Sequence, residues 1–175
     1  MPELQRLRPE HAPALLAFEQ ENRAFFAASV PDRGDDYFHR FAAHLAERLA
    51  EQATGACHFH VLVTRDGEVL GRFNLVDVAQ GEAELGFRLA EKATGRGVAT
   101  ATVRQLFTLC TTTYALTTLR AAATLTNTAS RSVLTRTGFV PTGEEPLLGG
   151  ERGVGYVREL RETSLPASPP APASS

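Results

Sequence analysis

Apolar residues recur along this chain with two periods, and the switch between them separates helices from strands. Near the start, Leu4 and Leu7 flank a short strand-like segment, and Pro9 stands where a helix can begin because its missing N–H would lack an intrahelical partner. That helix is predicted to run through Phe18 to about Asn22. Phe38, Phe41, Ala42, Leu45 and Leu49 fall at spacings of three and four, with Arg40, Glu47, Arg48 and Glu51 pointing elsewhere, which predicts a second helix ended by Gly55. From Cys57 the period shortens. HFHVLVTR and EVLGRFNLVDV read as strands joined by a tight turn at Asp66-Gly67, and Gln80-Gly81 makes a second turn.

The next segment, EAELGFRLA, alternates Ala83, Leu85, Phe87 and Leu89 with Glu82, Glu84, Gly86 and Arg88, so Glu84 is predicted on the face away from the core. A glycine-rich stretch follows, then a helix in which Val98, Thr102, Leu106 and Leu109 recur at helical intervals, widened by Val103, Phe107 and Cys110. LRAAATL reads as a further strand. Asn127 to Thr137 forms a short helix stopped by Gly138, and GFVPTG and GVGYVREL close the sheet. This order predicts one α/β domain over 1–162, a mixed sheet with helices on both faces. The Pro-, Ala- and Ser-rich segment 163–175 buries too little apolar area to offset its ordering entropy and is predicted to be a tail.

With 175 residues and 43% hydrophobic content, the chain holds one core rather than two domains. A net charge of -2 gives no general attraction to a nucleic-acid backbone or an anionic membrane, so neither is expected as a partner. Cys57 and Cys110 are too few and too far apart for a disulfide scaffold or a zinc site, so no metal is expected and a reducing cytoplasm fits best. The opening MPELQRLRPEHAPALL lacks the pattern of a secretory signal, and no apolar run is long enough to span a bilayer.

The stretch with most chemistry is Thr94-Gly95-Arg96-Gly97-Val98-Ala99-Thr100, between the end of a strand and the start of a helix. Glycines there let several N–H groups point one way, and the helix adds unpaired donors and the positive end of its dipole. Such a turn suits a pyrophosphate. It is neither a Walker A loop nor a dinucleotide fingerprint, and a ligand-free strand-to-helix turn is the alternative reading.

In this setting LGFRLAEKATGRGVATATVRQL resembles the coenzyme-binding motif of the GCN5-related N-acetyltransferase (GNAT) family, with Gly97 and Ala99 at its last two fixed positions and Thr94 where Gln or Arg is usual. The run from Asn127 through Ser130, Val133 and Leu134 to Gly138-Phe139 is similar to the family's second motif, and Glu21-Asn22-Arg23 followed by aromatics resembles the RimJ/RimL subgroup that acetylates ribosomal-protein N-termini. The resemblance implies a GNAT-like fold, a mostly antiparallel twisted sheet of about six to seven strands splayed between its fourth and fifth strands. It also implies acetyl-coenzyme A (acetyl-CoA) as co-substrate, an amine acceptor (a protein N-terminus or a small amine), and a monomer or homodimer. In that family the pantetheine arm bonds free backbone groups beside the splay, a role falling here to Phe87, Arg88 and Leu89, with Thr94, Gly95, Arg96, Gly97, Val98, Ala99 and Thr100 at the pyrophosphate. A regular strand would leave no donor free near Phe87, so a bulge is expected there.

Acetylating an amine requires a proton acceptor, an oxyanion donor and a proton source for the thiolate. Glu84 matches the family's general base, against the alternative of a solvated strand carboxylate. Asn127 and Ser130 share a helix face, so Asn127 can bond the pantetheine amide, or simply cap the helix, while Ser130 meets the leaving sulfur. Many relatives place a tyrosine acid where Leu134 stands here; Ser130 takes that role, with Ser132 the weaker rival. His39, His44, His58 and His60 read as surface or structural, and Cys110 as a buried inert thiol, which favours direct transfer in a ternary complex. Glu19, Glu21, Asp32, Asp35 and Asp36 suit either a cationic acceptor or an ordinary acidic surface. A non-catalytic acyl-coenzyme-A sensor is the rival functional class.

Overall fold

β-Branched and aromatic side chains at alternate positions make the middle of the chain extended, and the computed structural model, which describes residues 1–160, gathers its strands into one sheet. The strands are β1 (Glu3–Arg6), β2 (His58–Val63), β3 (Val69–Ala79), β4 (Glu82–Leu89), β5 (Thr118–Thr124), β6 (Val140–Pro141), β7 (Leu147–Leu148) and β8 (Glu151–Glu159). Their spatial order is β1-β2-β3-β4-β5-β8-β6, with β7 paired to β8. All pairs are antiparallel except β4 with β5, which run parallel. The tail predicted for 163–175 lies outside the described residues.

Where the sequence led to the expectation of one core, two apolar clusters form, because each face of the sheet presents its own apolar set. On one face Phe73, Leu75, Leu85 and Leu119 pack against α5 (Val98–Thr112) and α6 (Thr128–Arg136) through Val103, Leu106, Cys110 and Leu134. On the other, Phe59, Val61 and Val69 meet Leu15, Phe18, Phe26 and Leu45, carried by α1 (Ala12–Glu21), α2 (Arg23–Ala27) and α4 (Phe41–Ala53). Each such buried side chain stabilises the fold by about 1.5–3 kcal/mol. Helices on both faces and a mostly antiparallel sheet match the sequence-based expectation.

Three local details depart from it. Pro9 opens a single 3-10 turn, Pro9–His11, and α1 starts only at Ala12. The helix expected to include Phe38 is broken: α3 (Asp35–His39) ends before α4 because Arg40, at φ -108, leaves the helical region. Across the break Tyr37 still meets Phe41 edge-on at 5.9 Å, as residues four apart on a helix do, and Arg23 stacks 4.5 Å over the Phe38 ring. The irregularity in the antiparallel ladder next to β4 sits on β3, between Val76 and Ala79, where Asp77 has a φ of 53, not near Phe87.

The feature that positions the site is the parting of β4 from β5. Their register covers only Glu82 with Thr118, Ala83 with Leu119 and Glu84 with Arg120. Beyond Glu84, β4 continues to Leu89 beside β3, while β5 continues to Thr124 beside β8. A wedge opens between them, with Glu84 on its last rung.

Candidate active site

The wall of the wedge beyond β4 is the turn that starts α5. Gly95 and Gly97 both have a φ of 75, a left-handed backbone that side chains resist, and a Cβ on either would meet only open space. Two left-handed residues this close turn successive amides the same way. The first helical bond is donated by the Ala101 N–H to the Gly97 carbonyl, and no side chain caps the helix. Among the described residues, no protein acceptor is bonded to the N–H of Gly95, Arg96, Gly97, Val98, Ala99 or Thr100. With the dipole of α5 behind them, these amides form an anion cradle. Thr94 differs: its N–H and its hydroxyl both donate to the Glu91 carbonyl, so it closes the 3-10 turn Glu91–Ala93 and offers the cradle no backbone donor.

Along β4, register decides which backbone groups are free. Residues 84, 86 and 88 pair with β3 at 76, 74 and 72, in the same phase as the Ala90 N–H, which donates to Leu70. Antiparallel strands bond outward and inward alternately, so the N–H and C=O of Phe87 and Leu89 point into the wedge, where β5 has left. No bulge in β4 is needed to free a donor near Phe87. Arg88 corrects the expectation in another respect, because its main chain faces β3 and only its side chain reaches the cavity.

Glu84 is exposed and makes no salt bridge within 4.0 Å among the described residues. Gly86, next on the same face, leaves open space where a side chain would stand, so a clear patch separates Glu84 from Arg88. At α6, the Asn127 carboxamide oxygen accepts the Ser130 N–H at 3.2 Å, the capping role foreseen as its alternative, and its NH₂ is left for another acceptor. Leu134 is 1% exposed and sits in the core, so a hydroxyl-bearing residue there is replaced by packing.

These elements enclose a cavity of about 490 Å³. Of the residues expected at the coenzyme, Phe87, Arg88, Leu89, Thr94, Gly95, Gly97, Val98, Ala99, Thr100, Asn127 and Ser130 line it; Arg96 and Glu84 do not. Ser132 lines it too. Sequence reasoning missed Phe25 and Phe26 on α2 and Ser29 and Val30 in the turn after it, which close the far side, and Arg136, a cation at the end of α6. The only early sign of the former was the aromatic run after Glu21-Asn22-Arg23. Asn22 ties the two regions: buried, it donates to the Phe18 carbonyl and accepts the Glu91 N–H at 3.0 Å. A thioester coenzyme needs an anion cradle, an open strand edge and a pocket between them, and the residues present supply all three.

Beside the cavity, Glu19 is 1% exposed and accepts hydrogen bonds from Arg33 (two, both 3.0 Å), Arg72 (2.9 Å) and Arg88 (3.2 Å). Burial pushes its carboxyl up but the arginines outweigh that, and it lies below its ordinary range. Arg23 engages Asp32 and Asp35 at 2.8 Å and holds Asp32 at about 2. The acidic residues that the sequence offered to a cationic acceptor are thus largely occupied: Glu19, Asp32 and Asp35 by arginines, and Asp36 loosely by Arg40 at 3.9 Å.

The histidines take no part in the cavity. His60 donates to or accepts from Tyr114 at 2.6 Å, His58 stacks on the same ring at 3.7 Å, His44 lies 3.9 Å from Glu47, and His39 is exposed. Burial drives the Cys110 thiol to about 12, which leaves it unreactive. No group of three or more His, Cys, Asp or Glu able to hold a metal is found among the described residues, and no helix there is long and apolar enough to cross a membrane.

The sequence profile of the Acetyltransferase (GNAT) domain matches residues 3–140. Among solved structures, the ribosomal-protein-S5-alanine acetyltransferase of Vibrio fischeri superposes with a TM-score of 0.83 at 17% identity, covering 90% of this chain and 92% of that one. RimJ of Mycobacterium smegmatis, in complex with CoA-disulfide, gives 0.78 at 24% identity, with 89% and 80% covered. The Salmonella typhimurium acetyltransferase that modifies the N-terminal serine of the 50S ribosomal protein L7/L12 gives 0.78 at 21%, with 90% and 94% covered. At these identities the likeness is one of fold. No curated protein sequence matches this chain.

Proposed function

This chain belongs to the acetyltransferase (GNAT) domain family, and from that premise we propose that it transfers the acetyl group of acetyl-CoA to a primary amine, by direct attack in a ternary complex. The observation that carries the reading is the run of free amides from Gly95 to Thr100 adjoining the open edge of β4. The amides take the pyrophosphate, helped by Arg136, and the backbone groups of Phe87 and Leu89 take the pantetheine arm as a further strand. The Asn127 NH₂ bonds a pantetheine carbonyl. Bound acetyl-CoA supplies the thioester carbonyl that is attacked.

Glu84 removes the proton from the attacking nitrogen. It stands outside the cavity lining, so a water relays that proton. The Phe87 N–H steadies the oxygen as negative charge develops on it. As the C–N bond forms and the C–S bond breaks, the Ser130 hydroxyl gives a proton to the sulfur and regains one from solvent; Ser132 is the second choice. The acceptor enters over Gly86, between Glu84 and the aromatic wall of Phe25 and Phe26. A protein N-terminus and a small amine both suit that entrance. With both cysteines free and buried, a reducing cytoplasm is the setting we assign.

The test is thiol release from acetyl-CoA with a panel of N-terminal peptides and polyamines, repeated with Glu84→Gln. Acceptor-dependent release that collapses in the variant, while CoA affinity holds, supports the proposal. CoA binding without acceptor-dependent release overturns it in favour of a sensor, a reading that the buried Leu134 in place of a hydroxyl acid would then explain.

A further inference from the structure

The acceptor side of the wedge carries more positive charge than its own carboxylates neutralise. Arg33, Arg72 and Arg88 share the single carboxylate of Glu19, while Asp32 and Asp35 are taken by Arg23. Within the cluster the arginines are not equal. Arg33 binds Glu19 through two nitrogens and Arg72 is buried against Glu19 and the Tyr37 hydroxyl. Arg88 spends one nitrogen on Glu19, at the longest of these distances, 3.2 Å. Its guanidinium rests 4.7 Å from the Phe26 ring centroid, and it lines the cavity beside Phe25 and Phe26. A partly buried guanidinium with unspent donors, facing a pocket and pushed by two like charges, is a receptor for an anion. The depression of its own ionisation, caused by burial and then by Arg33, has the same origin.

A second observation lies on the neighbouring strand. Asn74 stands opposite Gly86 in the β3–β4 register, on the face that carries Glu84 and Arg88. Its Oδ1 is buried and has no hydrogen-bond partner among the described residues. The patch over Gly86 thus has an unpaired hydrogen-bond acceptor, Asn74 Oδ1, on one side, Glu84 at one end and a cation at the other.

Resting on the acyl-transfer reading above, we propose that the acceptor carries a carboxylate close to its reacting amine, and that Arg88 is the residue that selects it. Polyamines, whose remaining charges are positive, are then disfavoured at this site. The carboxylate has two sources, an acidic side chain next to a peptide N-terminus or the α-carboxylate of a free amino acid, and both present the same bidentate oxygen pair to a guanidinium.

The experiment measures kcat/KM with acetyl-CoA for matched peptides beginning Ala-Asp, Ala-Asn and Ala-Lys, for free alanine and alaninamide, and for a polyamine. The expected result is a preference for the acidic member of a pair of roughly tenfold or more, the size of a charge-assisted contact, shrinking as salt is raised. Preference within the peptides assigns the side-chain source; preference for alanine over alaninamide assigns the α-carboxylate. Arg88→Met brings the ratio close to unity and Arg88→Lys keeps part of it. An unchanged ratio in Arg88→Met, or a wild-type protein that acetylates neutral or basic acceptors as well as acidic ones, overturns the inference and leaves the proposed function standing. No transfer to any acceptor removes both.

Discussion

Replacing Glu19 with glutamine perturbs the most connected charge among the described residues, and its cost follows from which arginines can return to water. Glu19 is 1% exposed and accepts four hydrogen bonds from three guanidiniums. Arg33 and Arg88, with side chains 28% and 23% exposed, can recover hydration in part; Arg72, at 9%, cannot. An uncompensated buried charge of this kind costs about 3–5 kcal/mol. For a domain of this size, each kcal/mol corresponds to roughly 2–4 °C of melting temperature, so a fall of about 6–20 °C is expected. Thermal unfolding followed by circular dichroism at neutral pH reads it. The arginines hold the folded carboxyl below its ordinary 4.5, so its contribution is present above that pH and is lost as pH falls through the lowered folded value. The gap between wild type and variant therefore narrows in acid. A variant that melts within about 2 °C of wild type at neutral pH, or a gap that widens in acid, would refute the reasoning, since the arginines would then be stabilised by something other than Glu19.

Four other outcomes follow from the same geometry. Glu84→Gln lowers kcat by about 10²–10⁴ with CoA affinity unchanged, read by steady-state kinetics alongside calorimetry. Gly97→Ala meets no neighbour but must hold a φ of 75, so strain of about 1–2 kcal/mol falls on the bound turn and CoA affinity drops roughly tenfold. Gly149→Ala places a Cβ 2.4 Å from the Pro31 ring and displaces the segment that carries Ser29 and Val30, so KM for the acceptor rises while CoA affinity holds. Burial lowers His60 from 6.5 to about 4, so the unfolded chain takes up the proton first; stability is full above pH 6.5 and falls by up to about 3 kcal/mol as pH drops to 4, seen in urea midpoints and missing in His60→Gln.

The parts of the site that sequence made legible are those set by local rules. Alternation along EAELGFRLA placed Glu84 off the core and Phe87 toward it, and the glycines at 95 and 97 announced a left-handed turn ahead of a helix. Asn127 took the cap that its residue type favours. What escaped depends on pairings distant in sequence. The family resemblance implied a parting of the fourth and fifth strands beside Phe87, but no pattern within β4 records where β5 departs, so a bulge was expected where the end of the β4–β5 pairing after Glu84 is enough to free the donor. Glu19 reads as one acid among several until the fold brings it to Arg72 and Arg88, which lie 53 and 69 residues away. The break at Arg40 was hidden because Phe38 fits the helical period of α4 while its ring is held by Arg23.

The central claim is that the amides from Gly95 to Thr100 receive the pyrophosphate of the coenzyme. Titrating ¹⁵N-labelled protein with CoA, and in parallel with pantetheine, which lacks the phosphates, tests it at those atoms. The account requires the largest amide shifts at Gly95, Arg96, Gly97, Val98, Ala99 and Thr100 with CoA, and their near absence with pantetheine. Amides that stay in place while CoA binds, or that respond equally to pantetheine, would contradict it.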